Sequence, residues 1–280
     1  YAGQEQNTQG NGCSMTAGLT FSAYCELDNG VVVTVDQILD SSDGAAGAIM
    51  DTRIMTIDMG DSGTLTFSGT GGSSVLDAID DVTPKAGLEE SWDIISGADI
   101  LPGGTGGDDM FTYDNSSLMD GLTLSASYTP SDGTSEVESS SDYGLKYTGI
   151  EGLTIGAGAG EDNSAAASID LTNMYVTYTM DAFSVGYQTS ESDSETANAD
   201  KDFTAIGLSY AVSEEISVSL NTSTIDYENS TLSDQEATGI SVSYVMGSMT
   251  LKANHNTVDN VAGTATDDKC GYARSLGFEF

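Results

Sequence analysis

The chain has 280 residues, of which 44 are Asp or Glu and 7 are Lys or Arg, giving a formal net charge of −37 at neutral pH. So large an acidic excess excludes recognition of nucleic acid through its phosphates and favours cations or a salty medium as partners. With 38% hydrophobic residues, 33 Gly and 3 Pro the composition argues against disorder, and no stretch nears the ~18 consecutive apolar residues of a transmembrane helix.

The first residue is Tyr1, with no basic-then-apolar leader behind it, so a processed or incomplete chain with a segment upstream is expected. After the polar stretch YAGQEQNTQGNG, the run TAGLTFSAYCEL alternates. Ala17, Leu19, Phe21, Ala23 and Cys25 fall on one face of a strand, and Thr16, Gly18, Thr20, Ser22 and Tyr24 on the other. Similar runs begin near residues 31, 51 and 64, and resume near 110 after an unusually long connection. GLTLSASY then sets Leu122, Leu124, Ala126 and Tyr128 against Thr123, Ser125 and Ser127. Further runs start near 143, 153, 169, 183, 203, 216, 237, 249 and 270, the last ending in SLGFEF with Leu276, Phe278 and Phe280 on one face. That makes about fifteen strands, with helical periodicity sustained nowhere.

The connections alternate in length. Short turns stand at DNG (28–30), GDSG (60–63), MDG (119–121), IEG (150–152), MDA (180–182), SEE (213–215) and MGS (246–248), separated by long polar loops. Strict short-long alternation describes an up-and-down antiparallel meander. A soluble sandwich would turn its polar face to bulk water and fill it with Lys, Glu and Arg. Here that face is mostly Ser, Thr and Gly, which suits an aqueous lumen. Tyr and Met recur beside the short turns (Tyr178, Met180, Tyr210, Tyr244, Met246), where an aromatic girdle of a membrane barrel lies.

The alternation along the whole chain, the ending SLGFEF with its terminal Phe, and one outsized acidic loop after TIDMGDSGTLTFSG resemble the general-diffusion porins of Gram-negative outer membranes, of the acidic alphaproteobacterial type. The resemblance implies an all-β fold: a transmembrane up-and-down β-barrel of sixteen strands over 1–280, with the loop at about 69–109 folded into the pore as a constriction. It implies a homotrimer in the bacterial outer membrane, in contact with outer-membrane lipids and lipopolysaccharide. Small hydrophilic solutes and cations would pass by passive diffusion, with no nucleic acid and no required cofactor. In that family the terminal aromatic strand is read by the assembly machinery. Because single-chain bacterial barrels have an even number of strands, a strand from upstream of Tyr1 is expected to pair with both Thr16–Glu26 and Gly271–Phe280.

Within the long loop, SSVLDAIDDV and GLEESWDIIS mix apolar anchors (Val75, Leu76, Ile79, Leu88, Trp92, Ile94, Ile95) with carboxylates. The constriction is expected to carry Asp77, Asp80, Asp81, Glu89, Glu90 and Asp93, with Lys85 among them, and apolar groups should hold the loop to the wall. The family sets cationic wall residues opposite such a loop; the candidates are Arg53, at a strand's outer end and of ambiguous facing, with Lys146 and Lys252, whose parity points them inward. So thin a basic supply predicts a weak transverse field and a cation preference. Arg274 shares parity with Tyr272, Leu276 and Phe278, so either a bulge or a subunit contact must accommodate it. GGTGGDDMF (103–111) matches a calcium-binding nonapeptide, but as a single copy, which leaves calcium on Asp108 or Asp109 as a possible site. Cys13 and Cys25 are too far apart along one straight strand to pair, leaving Cys270 as the partner open to either. His255 has no metal-ligand or nucleophile companion, and no catalytic motif is present, so an enzyme is not expected. The competing reading is a structural or adhesive barrel that does not conduct.

Overall fold

The structure, a computed structural model, describes residues 2–4, 18–40, 50–80, 82–87, 92, 94–99, 103–104, 108–131, 133, 138–165 and 167–278. Among the described residues sixteen strands follow in chain order: β1 (Ala2–Gln4), β2 (Gly18–Glu26), β3 (Val32–Asp40), β4 (Met50–Asp58), β5 (Thr64–Thr70), β6 (Met110–Met119), β7 (Leu122–Thr129), β8 (Ser140–Ile150), β9 (Leu153–Asp162), β10 (Ile169–Met180), β11 (Phe183–Ser194), β12 (Lys201–Ala211), β13 (Ile216–Tyr227), β14 (Gln235–Met246), β15 (Met249–Asp259) and β16 (Lys269–Phe278). From β2 to β16 each strand pairs antiparallel with the next in sequence, giving one meandering sheet, the wall of a β-barrel. The other edge of β16 is met by β1, with Ala2 opposite Ala273 and Gln4 opposite Gly271. Over these three pairs the neighbour expected from upstream of Tyr1 is supplied by residues of the chain itself.

The sheet is inside out relative to a soluble protein. Asn173 and Gln188 are 1% exposed, whereas Met174 and Ile240 are 59% exposed. Buried amides and exposed aliphatics are stable together only where the outside is lipid and the inside is polar. From short turn to long loop, the outward residues of β10 read Met180, Tyr178, Val176, Met174, Thr172 and Asp170. Those of β12 read Tyr210, Leu208, Ile206, Thr204 and Asp202, and those of β14 read Tyr244, Val242, Ile240, Thr238 and Glu236. These three strands cross from apolar through Thr to carboxylate in the same order, which sets their depth in the bilayer. Near the short turns the rings of Phe183 and Tyr210 stack with centroids 4.4 Å apart.

The short turns are set by backbone sterics. Gly152 has φ +74, and a Cβ there would run into the Thr179 carbonyl oxygen. In the next turn of this kind, between Met180 and Phe183, the left-handed residue is the first of the two, Asp181, at φ 53.

Arg274 stays on the outward face. The β15–β16 register runs without a shift from Met249↔Phe278 to Val258↔Lys269, so no bulge reverses its parity. Its guanidinium lies over the Tyr272 ring, 5.4 Å from the centroid. Cys25 and Cys270 are not joined to each other, and Cys13 lies outside the described residues.

At the long-loop end the outward carboxylates face one another across strands. Glu191, Asp202 and Asp226 are directly opposed on β11, β12 and β13, and Glu161, Asp170 and Asp193 on β9, β10 and β11. Like charges directly opposite are destabilising. Replacing the central member, Asp202→Asn, is expected to raise stability by about 0.2–1 kcal/mol at low salt, and the gain should shrink as salt screens the pair. Thermal melting of the detergent-solubilised barrel at two ionic strengths measures both effects.

Candidate functional site

A loop inside a barrel must find partners for every backbone N–H and C=O it buries. The connection from β5 to β6 finds them in the inward side chains of the wall, one strand after another. Ser127 Oγ on β7 accepts from the Val75 N–H at 3.1 Å, and Asp142 Oδ2 on β8 from the Leu76 N–H at 3.4 Å. Asn173 Nδ2 on β10 donates to the Ile79 carbonyl at 2.8 Å. Gln188 on β11 uses both ends of its amide: Nε2 donates to the carbonyls of Ile79 and Asp80, at 3.0 and 2.8 Å, and Oε1 accepts from the Val82 N–H at 3.1 Å. On β13, Asn221 Nδ2 donates to Thr83 Oγ1 and the Pro84 carbonyl, at 3.0 and 3.1 Å. Ser219 Oγ on the same strand and Ser241 Oγ on β14 accept from the N–H groups of Ala86 and Gly87, at 2.9 and 2.8 Å. The loop therefore runs as a belt along the inner wall from β7 to β14.

The wall makes room for the belt with glycines. A Cβ at Gly144 would lie 2.5 Å from Val75 Cγ1, one at Gly158 2.6 Å from Leu76 Cδ2, and one at Gly207 3.2 Å from Pro84 Cδ. Inward small residues are thus a groove as well as a polar lining. Leu76 fills this groove and is 1% exposed.

The distal limb is held differently. Trp92 and Ile95 enter an apolar cluster of inward residues, Phe203, Ala205, Ile225, Ala237 and Val258, with Val261. The Trp92 and Phe203 rings meet edge-on at 5.3 Å. Beside this cluster, the Asp99 carboxylate accepts from Lys201 Nζ at 2.8 Å and from the Tyr227 hydroxyl at 3.0 Å. The Gln235 side chain pairs with the Asp99 backbone through two bonds of 2.9 Å. Lys269 Nζ donates to the Ser96 carbonyl at 3.1 Å.

The family model described as Gram-negative porin matches residues 1–263. This chain belongs to the Gram-negative porin family. Among solved structures it is similar to an anion-selective porin from Comamonas acidovorans, with a TM-score of 0.72 at 12% identity over 95% of this chain and 90% of that one. It is also similar to a mutant of the Rh. blastica porin (TM-score 0.67, 15% identity, 100% and 96% covered) and to OmpF of Salmonella typhi in complex with daunomycin (TM-score 0.69, 11% identity, 98% and 94% covered). No curated protein matches it by sequence. The porin is an outer-membrane channel for passive diffusion, not an enzyme.

Of the expected constriction residues, Asp77 is half-buried in a short 3-10 turn, Asp77–Ile79, its N–H donating to Ser74 Oγ at 3.2 Å. Asp80 is half-buried and Lys85 exposed. Asp81, Glu89, Glu90 and Asp93 lie outside the described residues. Lys146 sits opposite Thr123 and Gly156, and Lys252 opposite Ser243 and Ser275, all on the inward face. Arg53 shares its face with Met55, opposite Val35 and Phe67 of the outward set; its Nη2 donates to the Gly69 carbonyl at 3.0 Å and its Nε to Thr70 Oγ1 at 3.2 Å. Its parity is therefore that of the outer surface, at a register shift between Arg53 and Ile54, and not that of the pore wall. Asp108 and Asp109 are exposed, and among the described residues no three His, Cys, Asp or Glu side chains gather round a metal-sized space.

The apolar anchors Leu76, Trp92 and Ile95 were legible in the sequence and the polar grip was not; Leu88 lies outside the described residues. The signal available was that Asn173, Gln188, Asn221 and Gln235 are amides on an inward face made mostly of Ser, Thr and Gly. Lys201 and Lys269, at the loop ends of their strands, were likewise passed over. Removing the distal clamp with Asp99→Ala leaves Lys201 and Tyr227 without their shared acceptor. This should cost about 1 kcal/mol of stability, since both partners are partly exposed, and should make single-channel current noisier than that of the unmodified porin. Planar-bilayer recording reads the second effect.

Proposed function

We propose that the porin prefers cations, acts as a homotrimer, and selects at the loop, with Asp77, Asp80, Asp81, Glu89, Glu90 and Asp93 as the carboxylates of the constriction and Lys85, Lys146 and Lys252 as its cations. The observation that carries the preference is where the seven basic residues go. Lys201 and Lys269 hold the loop, and Arg53 and Arg274 lie on the outward face. Only three remain for the water-filled path. Against them stand the loop carboxylates and the inward Asp36 and Asp114, which accept from Ser22 and Ser125 hydroxyls. A narrow path walled by low-dielectric protein concentrates the field of such an excess and raises the local concentration of cations.

The homotrimer draws support from two sources. One similar structure, OmpT of Vibrio cholerae at 13% identity and TM-score 0.69, is described as a trimer form. On this chain, the outward face of β15 and β16 carries His255, Tyr272 and Arg274 in the rows where its neighbours carry Val and Ile. A polar stretch of that kind is costly against lipid and suits a subunit contact.

Across a KCl gradient the dilute side should become positive. The potential should fall as ionic strength rises, because the Debye length shortens to ~10 Å at ~0.1 M salt. Converting Asp77 and Asp80 to Asn should lower the cation-to-anion permeability ratio about twofold or more, on the scale of an exposed charge contact. Anion preference in the unmodified porin, or an unchanged reversal potential in the double variant, contradicts the proposal.

A further inference from the structure

Between the first limb of the belt and strands β6 to β10 lies a cavity of about 390 Å³. Its two sides differ in chemistry. The loop contributes the apolar Val75, Ala78, Ile79 and Val82, with Ser73 and Ser74 at its start. The wall contributes Asp114, Ser125, Lys146 and Tyr175. Asp114 is opposite Ser125, Ser125 is opposite Gly144, and Lys146 lies two residues further along β8. Two strand spacings sideways and one pleat along put the Asp114 and Lys146 Cα atoms about 12 Å apart. Lys146 makes no ion pair with Asp114 or any other described residue. Both charges are thus open to a passing solute, set apart from each other and backed by an apolar surface.

We propose that this cavity is a subsite for small zwitterions bearing an apolar substituent, the chemistry of a free aliphatic amino acid. The ammonium group would meet Asp114, the carboxylate Lys146, and the side chain the apolar underside of the loop. A pocket of this volume with convergent polar groups on one side has the dimensions of a small-ligand site. One unpaired lysine in a pore of net negative charge is also the place where a solute carboxylate meets least repulsion. The subsite rests on the reading of this chain as an open channel and names the solutes that linger in it.

The test uses purified full-length porin in planar bilayers in dilute KCl at neutral pH, with the solute-induced reduction of single-channel current as readout. The probes are leucine, N-acetylleucine without the ammonium, leucinamide without the carboxylate, and N-acetylleucinamide without either charge. Leucine should reach half-maximal effect at a concentration roughly two- to fivefold below each singly charged analogue, the worth of one exposed charge contact, with the uncharged analogue weakest. Asp114→Asn should bring leucine to the level of N-acetylleucine, and Lys146→Gln to that of leucinamide. The probe series on the unmodified porin stands even if a variant does not fold. Equal half-maximal concentrations for the four probes, or a leucine response that neither substitution moves, overturns the proposal while the channel reading stands. Absence of any KCl current overturns the channel reading and the subsite with it.

Discussion

The structure depends on one constraint: irregular backbone inside a barrel must have its polar groups satisfied by the wall. Regular strands satisfy themselves, and lipid satisfies nothing. The loop between β5 and β6 has neither resource, so the wall supplies amides and hydroxyls at the height where the loop passes. Gln188, bonded to Ile79, Asp80 and Val82 at once, shows why an amide is used rather than a hydroxyl. It carries donors and an acceptor in fixed relation, and so fixes both the position and the direction of the backbone it meets.

The same alternation that faces these amides inward faces aliphatic side chains outward, so holding the loop and seating the barrel in the membrane are two results of one pattern. A one-residue slip of any strand would exchange the two faces. The outward sequence of apolar, Thr and carboxylate then sets depth. The charges stand directly opposite one another at the rim, where water and salt screen them, and give way to Thr before the apolar belt begins. The cost of opposed carboxylates is therefore confined to the part of the barrel best able to bear it.

Much of this was legible in the sequence because period-two alternation runs along most of the length of strands β2 to β16, with register shifts confined to the pairings of β3 with β4, β4 with β5, β6 with β7 and β8 with β9. Each of these strands begins within about four residues of the position that alternation alone suggests. β1 was not legible, since Ala2–Gln4 is short and polar and its extended state comes from the edge of β16 that it meets. Leu76, Trp92 and Ile95 could be recognised as anchors because large apolar groups in an acidic loop have no other use. The partners of the loop's backbone could not, since Val75 and Ser127, or Gly87 and Ser241, are brought together only by the curvature of the sheet. Arg53 was ambiguous in sequence for a physical reason: its pairing with β5 is shifted, and only the unshifted pairing with Gln37 of β3 settles its facing.

Whether the belt occupies the lumen can be measured by linking it to the wall. Pro84 Cδ lies 2.4 Å from where a Cβ on Gly186 would stand, so Pro84→Cys combined with Gly186→Cys brings two thiols within disulfide reach. With Cys13, Cys25 and Cys270 replaced by Ser, oxidation of the folded barrel should join these two positions in most molecules, seen as a reducible shift in electrophoretic mobility, and the linked channel should still conduct KCl. Folded, conducting barrels in which the two thiols stay reactive and unlinked under the same oxidant would contradict a loop seated on the inner wall.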